Sequence, residues 1–246
     1  MNMIRKALVL LMALVFLIGL SIYAYPIVNG AIVDKEIQEN ADEFINKQDQ
    51  PSPEQEESYV IHSDRDELWL AMTEYNQTIW EQRQSGLSDP WSYEQPSFAL
   101  EQYGIADEVF GVISIPKIEL EMPIYLGATE AHMSAGAAHL SQTSLPIGGT
   151  NTNCVIAGHR GYRGAAYFTY VDRLQVGDPV TITNLWETLE YQVCEIRIIE
   201  PNDVKAIHIQ EGRDLITLLT CHPYASGGKQ RMAIYCERIT AEKEAE

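Results

Sequence analysis

The chain has 246 residues, with 35 acidic and 17 basic side chains and a formal net charge of −18 at pH 7. Binding to nucleic acid depends on basic side chains that neutralise phosphates, and this sequence has no basic run, so we exclude a nucleic-acid partner. Protein and polymer partners remain possible.

The first segment of the chain is apolar. Arg5 and Lys6 precede an uncharged run at 7–28, and about 20 apolar residues are enough to cross a bilayer. Acidic residues follow from Asp34 onward, so the positive-inside rule places the N-terminus in the cytoplasm and the rest of the chain outside. A cleaved signal peptide is the alternative, although its apolar region is typically only about 7–15 residues long. We therefore predict a cytoplasmic stub and an uncleaved transmembrane anchor in residues 1–30.

The second segment, 31–108, is predicted to contain an acidic spacer, one amphipathic helix and a short motif described below. The stretch from Asp34 to Glu67 is strongly acidic, which is typical of a solvated spacer or a loosely structured arm. From Arg65 to Arg83, apolar residues recur near helical spacing, with Ser63 or Asp64 as a possible N-cap. This pattern predicts a helix that packs on the following domain.

Residues 109–240 are predicted to be mainly β, and residues 241–246 form a charged tail. Short runs that are β-branched or alternating are separated by Gly, Asn and Asp. They lie at 110–125, 179–183, 189–199, 214–220 and 231–239. About 130 residues of this kind form one closed barrel or a sandwich.

Three side chains that could take part in catalysis lie where predicted strands end. Cys221 ends one apolar run, Arg231 begins the next, and the Pro- and Gly-containing segment 222–230 predicts a loop between two antiparallel strands. His159 follows the run 154–157, so it also lies at the rim, where functional side chains are usually found. A thiol, an imidazole and a guanidinium are the groups that acyl transfer requires. Each residue alone has a structural explanation, since a free cysteine is usually buried, so the hypothesis depends on the combination.

The residues around this trio resemble the sortase family, the cysteine transpeptidases of Gram-positive cell surfaces. Thr217–Cys221 is similar to the family's Thr-Leu-X-Thr-Cys strand end, His159 stands in a similar Gly-His-Arg turn, and Arg231 follows in the family's order. Three further stretches are similar to the pilus-building branch, class C. They are 144–149, 156–161 and 113–118.

The resemblance implies a fold and a set of site residues. The fold is a closed eight-stranded β-barrel, preceded by an N-terminal helical region and lid. The catalytic residues are His159, Cys221 and Arg231. Substrate contacts are assigned to Thr220, Ser144 and Leu145.

The class C resemblance also implies a lid at Asp89-Pro90-Trp91. In that class the acidic residue pairs with the catalytic arginine and the aromatic residue covers the catalytic cysteine. Asp89 would then meet Arg231, because a carboxylate offers a guanidinium a bidentate partner, and Trp91 would exclude water from Cys221. The alternative is a Pro-containing type I turn with an exposed tryptophan.

The chain departs from the class pattern next to its cysteine. His222 stands where pilus enzymes often have Thr, so proton transfer could belong to this second histidine. We favour His159, because adjacent residues along a strand point to opposite faces and Cys221 and His222 should therefore diverge.

Four cysteines in an exported chain would normally suggest disulfides. Cys221 has to stay reduced to act, which leaves Cys154, Cys194 and Cys236, an odd set in which at most one pair can form. All three lie in apolar, strand-like runs, so we expect buried free thiols. A zinc site is the weaker alternative, because no compact Cys/His cluster is present.

The activity implied by the resemblance is cleavage of a Leu-Pro-X-Thr-Gly-like sorting signal and transfer of the acyl group to an amine, with no cofactor and no metal. The expected partners are pilins or surface proteins that carry this signal, with a pilin lysine as acceptor, and the expected location is a single-pass anchor with an extracellular catalytic domain. A housekeeping sortase that uses the peptidoglycan precursor is one alternative, and a catalytically silent pilus scaffold is another. An L,D-transpeptidase would require a Ser/Thr-X-Gly-Cys stretch, which is absent.

Overall fold

The computed structural model describes residues 2–49, 57–87, 98–105 and 108–239. Two long helices, α1 (Asn2–Asp49) and α2 (Glu57–Glu81), precede the β domain, and a short helix, α3 (Glu130–Ala135), lies within it. The strands are β1 (Val109–Ile115), β2 (Leu120–Leu126), β3 (Ala137–His139), β4 (Thr152–Ala157), β5 (Pro179–Asn184), β6 (Thr188–Ile199), β7 (Asp214–His222) and β8 (Gln230–Arg238). Single 3₁₀ turns lie at Leu100–Tyr103, Pro116–Ile118, Val171–Arg173 and Val204–Ile207.

The strands close into a barrel in the order β1-β2-β3-β4-β7-β8-β6-β5. The pairs β2–β3 and β4–β7 are parallel and the other pairs are antiparallel. The prediction of a closed eight-stranded barrel is confirmed. Its interior is filled by alternate side chains of the strands, among them the fully buried Ile113, Met122, Ile156 and Ile234.

The first half of α1 is apolar and exposed. The helical stretch Arg5–Gln48 contains an 18-residue segment that is apolar enough to cross a membrane and that is not buried against the rest of the described chain. The prediction of an N-terminal helix able to act as an anchor is confirmed in this sense.

The second half of α1 differs from the predicted acidic spacer. The helix continues without interruption to Asp49, and Ile37, Ala41 and Phe44 are buried against the barrel wall formed by β1 and β2. Their spacing places them on one face of the helix. Acidic residues occupy the exposed faces, where ion pairs such as Lys35–Glu39, at 2.9 Å, stabilise the helix. High charge therefore marks a solvated helix face here rather than a loose arm.

The predicted amphipathic helix is confirmed as part of α2. It begins at Glu57, so neither Ser63 nor Asp64 caps it. Leu68 and Met72 are fully buried, and Asn76 accepts a hydrogen bond from the amide of Leu145 at 2.7 Å. α2 is thereby fixed to the loop that precedes β4.

Candidate active site

Cys221 and Arg231 face each other across the β7–β8 hairpin. They are register partners near the end of β7 and the start of β8, with His222 and Gln230 as the next pair. Directly opposed residues of antiparallel strands project from the same face of a sheet. Cys221 is partly exposed and Arg231 is 9% exposed, so the thiol is accessible while most of the guanidinium side chain is covered.

The guanidinium of Arg231 is held by carbonyl groups of the hairpin loop. Its Nη1 donates to the carbonyl oxygens of Gly228, at 2.6 Å, and Gln230, at 3.0 Å. Gly228 has φ +78°, and a Cβ at this position would lie 2.7 Å from Nη1 of Arg231. The glycine therefore allows the loop to close over the arginine without displacing it.

His159 reaches the same end of the barrel through the parallel pair β4–β7. The last register pair is Ala157 with Leu219, and the Gly158 amide continues the ladder by donating to the Leu219 carbonyl at 3.1 Å. The Thr220 hydroxyl then donates to the Gly158 carbonyl at 2.7 Å. His159 thus follows directly after the point where β4 is bonded to the residues preceding Cys221.

The imidazole of His159 lies between two tyrosines. The Tyr162 ring stacks on it with centroids 4.0 Å apart and an interplanar angle of 24°, and the Tyr167 ring meets it edge-on at 5.5 Å. Burial and, to a smaller degree, the positive charge of Arg163 lower the pKa of His159 below its ordinary value of 6.5. The neutral imidazole is consequently the main form at neutral pH. Neither tyrosine was predicted, although both lie within nine residues of the histidine in the Gly-rich loop after β4.

The imidazole of His222 contacts Arg160. The buried guanidinium of Arg160 forms an ion pair with Asp172 at 2.6 Å and donates to the Thr169 carbonyl at 3.2 Å. Its Nη1 lies 3.4 Å from Nδ1 of His222. A guanidinium has only donors, so Nδ1 acts as the acceptor and the proton of the neutral ring is on Nε2. Arg160 was part of the recognised Gly-His-Arg turn, but the sequence did not assign it this contact.

The residues predicted to bind substrate are placed differently from the trio. Thr220 is buried, and its hydroxyl donates to the Gly158 carbonyl. Ser144 is fully buried and its Oγ accepts from the Asn153 amide at 3.0 Å, near the start of β4 and therefore at the other end of that strand from His159. Leu145 is fully buried beneath α2. The structure therefore does not bring Ser144 and Leu145 to Cys221.

The other three cysteines lie away from this rim. Cys154 and Cys236 are buried inside the barrel, and burial raises the pKa of both thiols well above the ordinary value. Cys194 is partly exposed and its thiol donates to the Tyr235 carbonyl at 3.3 Å. No group of three or more His, Cys, Asp or Glu side chains suited to a metal is present in the part of the chain that the structure describes. The predicted lid, Asp89, Pro90 and Trp91, lies outside the described residues.

Comparison with known proteins gives consistent results. The Sortase domain family profile matches residues 113–239. The chain is similar to the sortase C1 of GBS pilus island 1, from group B Streptococcus, at 30% identity and a TM-score of 0.68, with 83% of this chain and 92% of that chain covered. It is also similar to sortase C-1 of Actinomyces oris, at 32% identity and a TM-score of 0.62, with 73% and 99% covered. Sortase D of Bacillus subtilis is 27% identical over 53% of this chain, and the match spans 64% of that protein, just under two thirds.

Proposed function

The chain belongs to the sortase family, and on that premise we propose that it is a membrane-anchored cysteine transpeptidase of the pilus-assembling type. Cys221 is the nucleophile, His159 transfers protons and Arg231 stabilises the oxyanion. The observation that carries this proposal is the register pair Cys221–Arg231, with His159 following the strand that is bonded to the same stretch of β7.

The first half of the reaction cleaves the sorting signal. The Cys221 thiolate attacks the carbonyl carbon of the threonine in a Leu-Pro-X-Thr-Gly-like segment, and the carbonyl oxygen becomes an oxyanion. Arg231 donates to this oxygen, which is the kind of preorganised stabilisation that contributes most to such reactions. The threonine–glycine C–N bond then breaks, and His159 protonates the departing amine. A thioester between the threonine carbonyl and Cys221 remains.

The second half transfers the acyl group to a new amine. His159, now neutral, accepts a proton from the incoming amine while the amine nitrogen attacks the thioester carbonyl. The C–S bond breaks, an amide bond forms, and Cys221 leaves as the thiolate. The lowered pKa of His159 favours this second half, because a neutral imidazole is the form that can accept the proton. The imidazolium that the first half needs is the minority form.

The acceptor is proposed to be a lysine of a pilin subunit, so that the product is an isopeptide bond between subunits. The support is the similarity to solved enzymes described as pilus-related. The rival acceptor is the amine of the peptidoglycan precursor, which would make the chain a housekeeping enzyme that attaches surface proteins to the wall. The donors in either case are proteins with a C-terminal sorting signal.

The orientation is proposed from the anchor helix. The apolar part of α1 spans the membrane once, with Arg5 and Lys6 on the cytoplasmic side and the barrel outside. The domain division that follows is an anchor at 1–30, a helical region with the lid at 31–108, the catalytic barrel at 109–240 and the tail at 241–246.

The deciding experiment measures cleavage of a sorting-signal peptide by the full chain and by Cys221→Ala, together with thermal unfolding of both. We expect the substitution to abolish cleavage and leave the unfolding transition in place, because a partly exposed thiol contributes little packing. Cys194→Ala is the matched control, since Cys194 is the other partly exposed thiol, and it should keep full activity. Cleavage by Cys221→Ala would refute the assignment. Offering a pilin lysine peptide and a peptidoglycan stem peptide together, and identifying the product by mass, separates the two acceptors.

A further inference from the structure

The middle of α1, residues 26–34, contacts the loop that carries His159. We name residues 159–170, between β4 and the following 3₁₀ turn, the histidine loop. Asp34 of α1 accepts a hydrogen bond from the Ala166 amide at 2.7 Å, and Asn29 donates to the Arg163 carbonyl at 3.3 Å. Both contacts are made to the backbone of the loop, so they fix its path rather than one side chain.

The helix and the loop also meet backbone to backbone. A Cβ at Gly30 would overlap the carbonyl oxygen of Gly164, and a Cβ at Gly164 would overlap the carbonyl oxygen of Pro26. Pro26, Gly30 and Asp34 are spaced four residues apart, so they share one face of α1. Over two turns of the helix, that face packs against residues 163–166.

The histidine loop depends on such outside contacts for its shape. Gly161, Arg163, Gly164 and Tyr167 all have positive φ, and for Arg163 and Tyr167 this conformation is strained. Within residues 160–167, the backbone bonds described are short turns such as Ala165 to Tyr162 at 3.1 Å, and beyond Gly158 none of the bonds described is a ladder bond to a strand.

The part of the loop held by α1 lies between the two rings that hold the imidazole. Tyr162 precedes residues 163–166 and Tyr167 follows them, and both rings contact His159. The Phe168 amide donates to the His159 carbonyl at 2.9 Å, which closes the loop on itself. A shift of residues 163–166 therefore acts mainly on the Tyr162 ring, because Tyr167 is buried and its hydroxyl donates to the Ser134 carbonyl at 2.8 Å.

We propose that α1 helps to shape the active site and that Asp34 is a positioning residue for His159. The anchor helix holds the histidine loop through Asp34, Asn29 and the Gly30–Gly164 contact, and the loop in turn sets the orientation of the imidazole. This proposal rests on the role given to His159 above. Because the loop contacts α1 directly after its apolar run, the active site lies beside the bilayer surface when the helix spans.

The test compares three variants of the full chain in detergent or in nanodiscs. Asp34→Ala removes the acceptor for the Ala166 amide, and Asp34→Asn removes the charge but keeps an acceptor oxygen. Asp42→Ala is the matched control, because it removes an exposed carboxylate from the same helix two turns further on, where it contacts only Gln38 in the described bonds. The readouts are kcat and KM for a sorting-signal peptide and the pH dependence of the alkylation rate of Cys221, measured in a Cys194→Ala background.

We expect Asp34→Ala to lower kcat by about 10-fold or more with KM within about 2-fold, since a misplacement of about 1 Å in a catalytic group can cost about 100-fold. The alkylation profile should change with it, because the reactivity of the thiol depends on the neighbouring imidazole. Asp34→Asn and Asp42→Ala should stay within about 2-fold of the wild type.

The proposal is overturned if Asp34→Ala behaves like Asp42→Ala, or if kcat falls while the alkylation profile is unchanged, since the imidazole would then not have moved relative to the Cys221 thiol. It is also overturned if Asp34→Asn loses as much activity as Asp34→Ala, because the hydrogen bond would then not be the cause. If the wild type cleaves no sorting-signal peptide, the proposed function fails, but the alkylation profiles still decide whether α1 positions His159.

Discussion

Replacing each of the two histidines near Cys221 with alanine should give effects that differ by orders of magnitude. His159→Ala removes the group that protonates the leaving amine and later accepts a proton, and such general acid–base assistance is worth about 10²- to 10⁴-fold. That range corresponds to about 3–5 kcal/mol of transition-state stabilisation. The loss should appear mainly in kcat, since nothing in the geometry assigns the imidazole to binding the peptide.

Among the contacts of the described residues, His222→Ala removes the acceptor for Nη1 of Arg160 at 3.4 Å. Arg160 keeps its ion pair with Asp172 at 2.6 Å and its bond to the Thr169 carbonyl, so the turn that carries His159 remains held. A hydrogen bond to a charged group is worth about 1.5–3 kcal/mol at usual geometry, and at this length we expect the lower end. Only a part of that energy reaches the transition state, so turnover should fall by less than about 10-fold.

The assay measures kcat and KM for the sorting-signal peptide with both variants, alongside the thermal unfolding of each. The expected ranking is wild type, then His222→Ala within about 10-fold, then His159→Ala lower by about 10²-fold or more. The reverse ranking would assign proton transfer to His222 and refute the reasoning from its contact with Arg160.

Two further predictions concern acid stability and the lid. His139 is fully buried, and burial lowers its pKa to about 4. Between about pH 6.5 and pH 4 the unfolded chain therefore binds a proton at this histidine that the folded chain does not bind. The free energy of unfolding should fall by about 3 kcal/mol from pH 6.5 to pH 4. Denaturant titrations of the wild type and His139→Gln across this window check it, and equal slopes would contradict a buried neutral histidine. For the lid, Asp89→Ala combined with Trp91→Ala should speed alkylation of the catalytic thiol, with the larger part from Trp91, because its indole is the group expected to exclude water and reagent from Cys221. Equal alkylation rates would show that this segment is an ordinary turn.

The β7–β8 hairpin could be predicted from the sequence because its information is local. Two apolar runs of strand length flank a segment containing Pro223, Gly227 and Gly228, and a hairpin of that kind places the end of the first run beside the start of the second. The pairing of Cys221 with Arg231 follows from those features alone. The number of strands and the closure of the barrel came from the family resemblance, since short alternating runs fit a sandwich equally well.

The prediction for the acidic segment failed for an identifiable reason. Composition averages over all faces of a helix, and the stretch from Asp34 to Asp49 has too few apolar residues to stand out. Ile37, Ala41 and Phe44 nevertheless lie on one face, and burying three side chains against the barrel is enough to extend a helix that is already nucleated upstream. Periodicity was the useful signal there, and net charge concealed it.

The position of His159 relative to Cys221 depends on contacts that no local pattern encodes. Thr220 and Gly158, which bond to each other, are 62 positions apart in sequence, and parallel strands such as β4 and β7 carry no hairpin turn that would reveal the pairing. The contact between α1 and residues 163–166 is equally distant in sequence, because Asp34 and Ala166, which bond to each other, are 132 positions apart. Gly158 shows how closely these parts fit, since a Cβ there would lie 2.6 Å from the Phe168 ring. The site is thus assembled where three distant segments meet: the β4–β7 ladder places His159 near the end of β7, the β7–β8 hairpin places Arg231 opposite Cys221, and side chains of α1 bond to the backbone of the loop that carries His159.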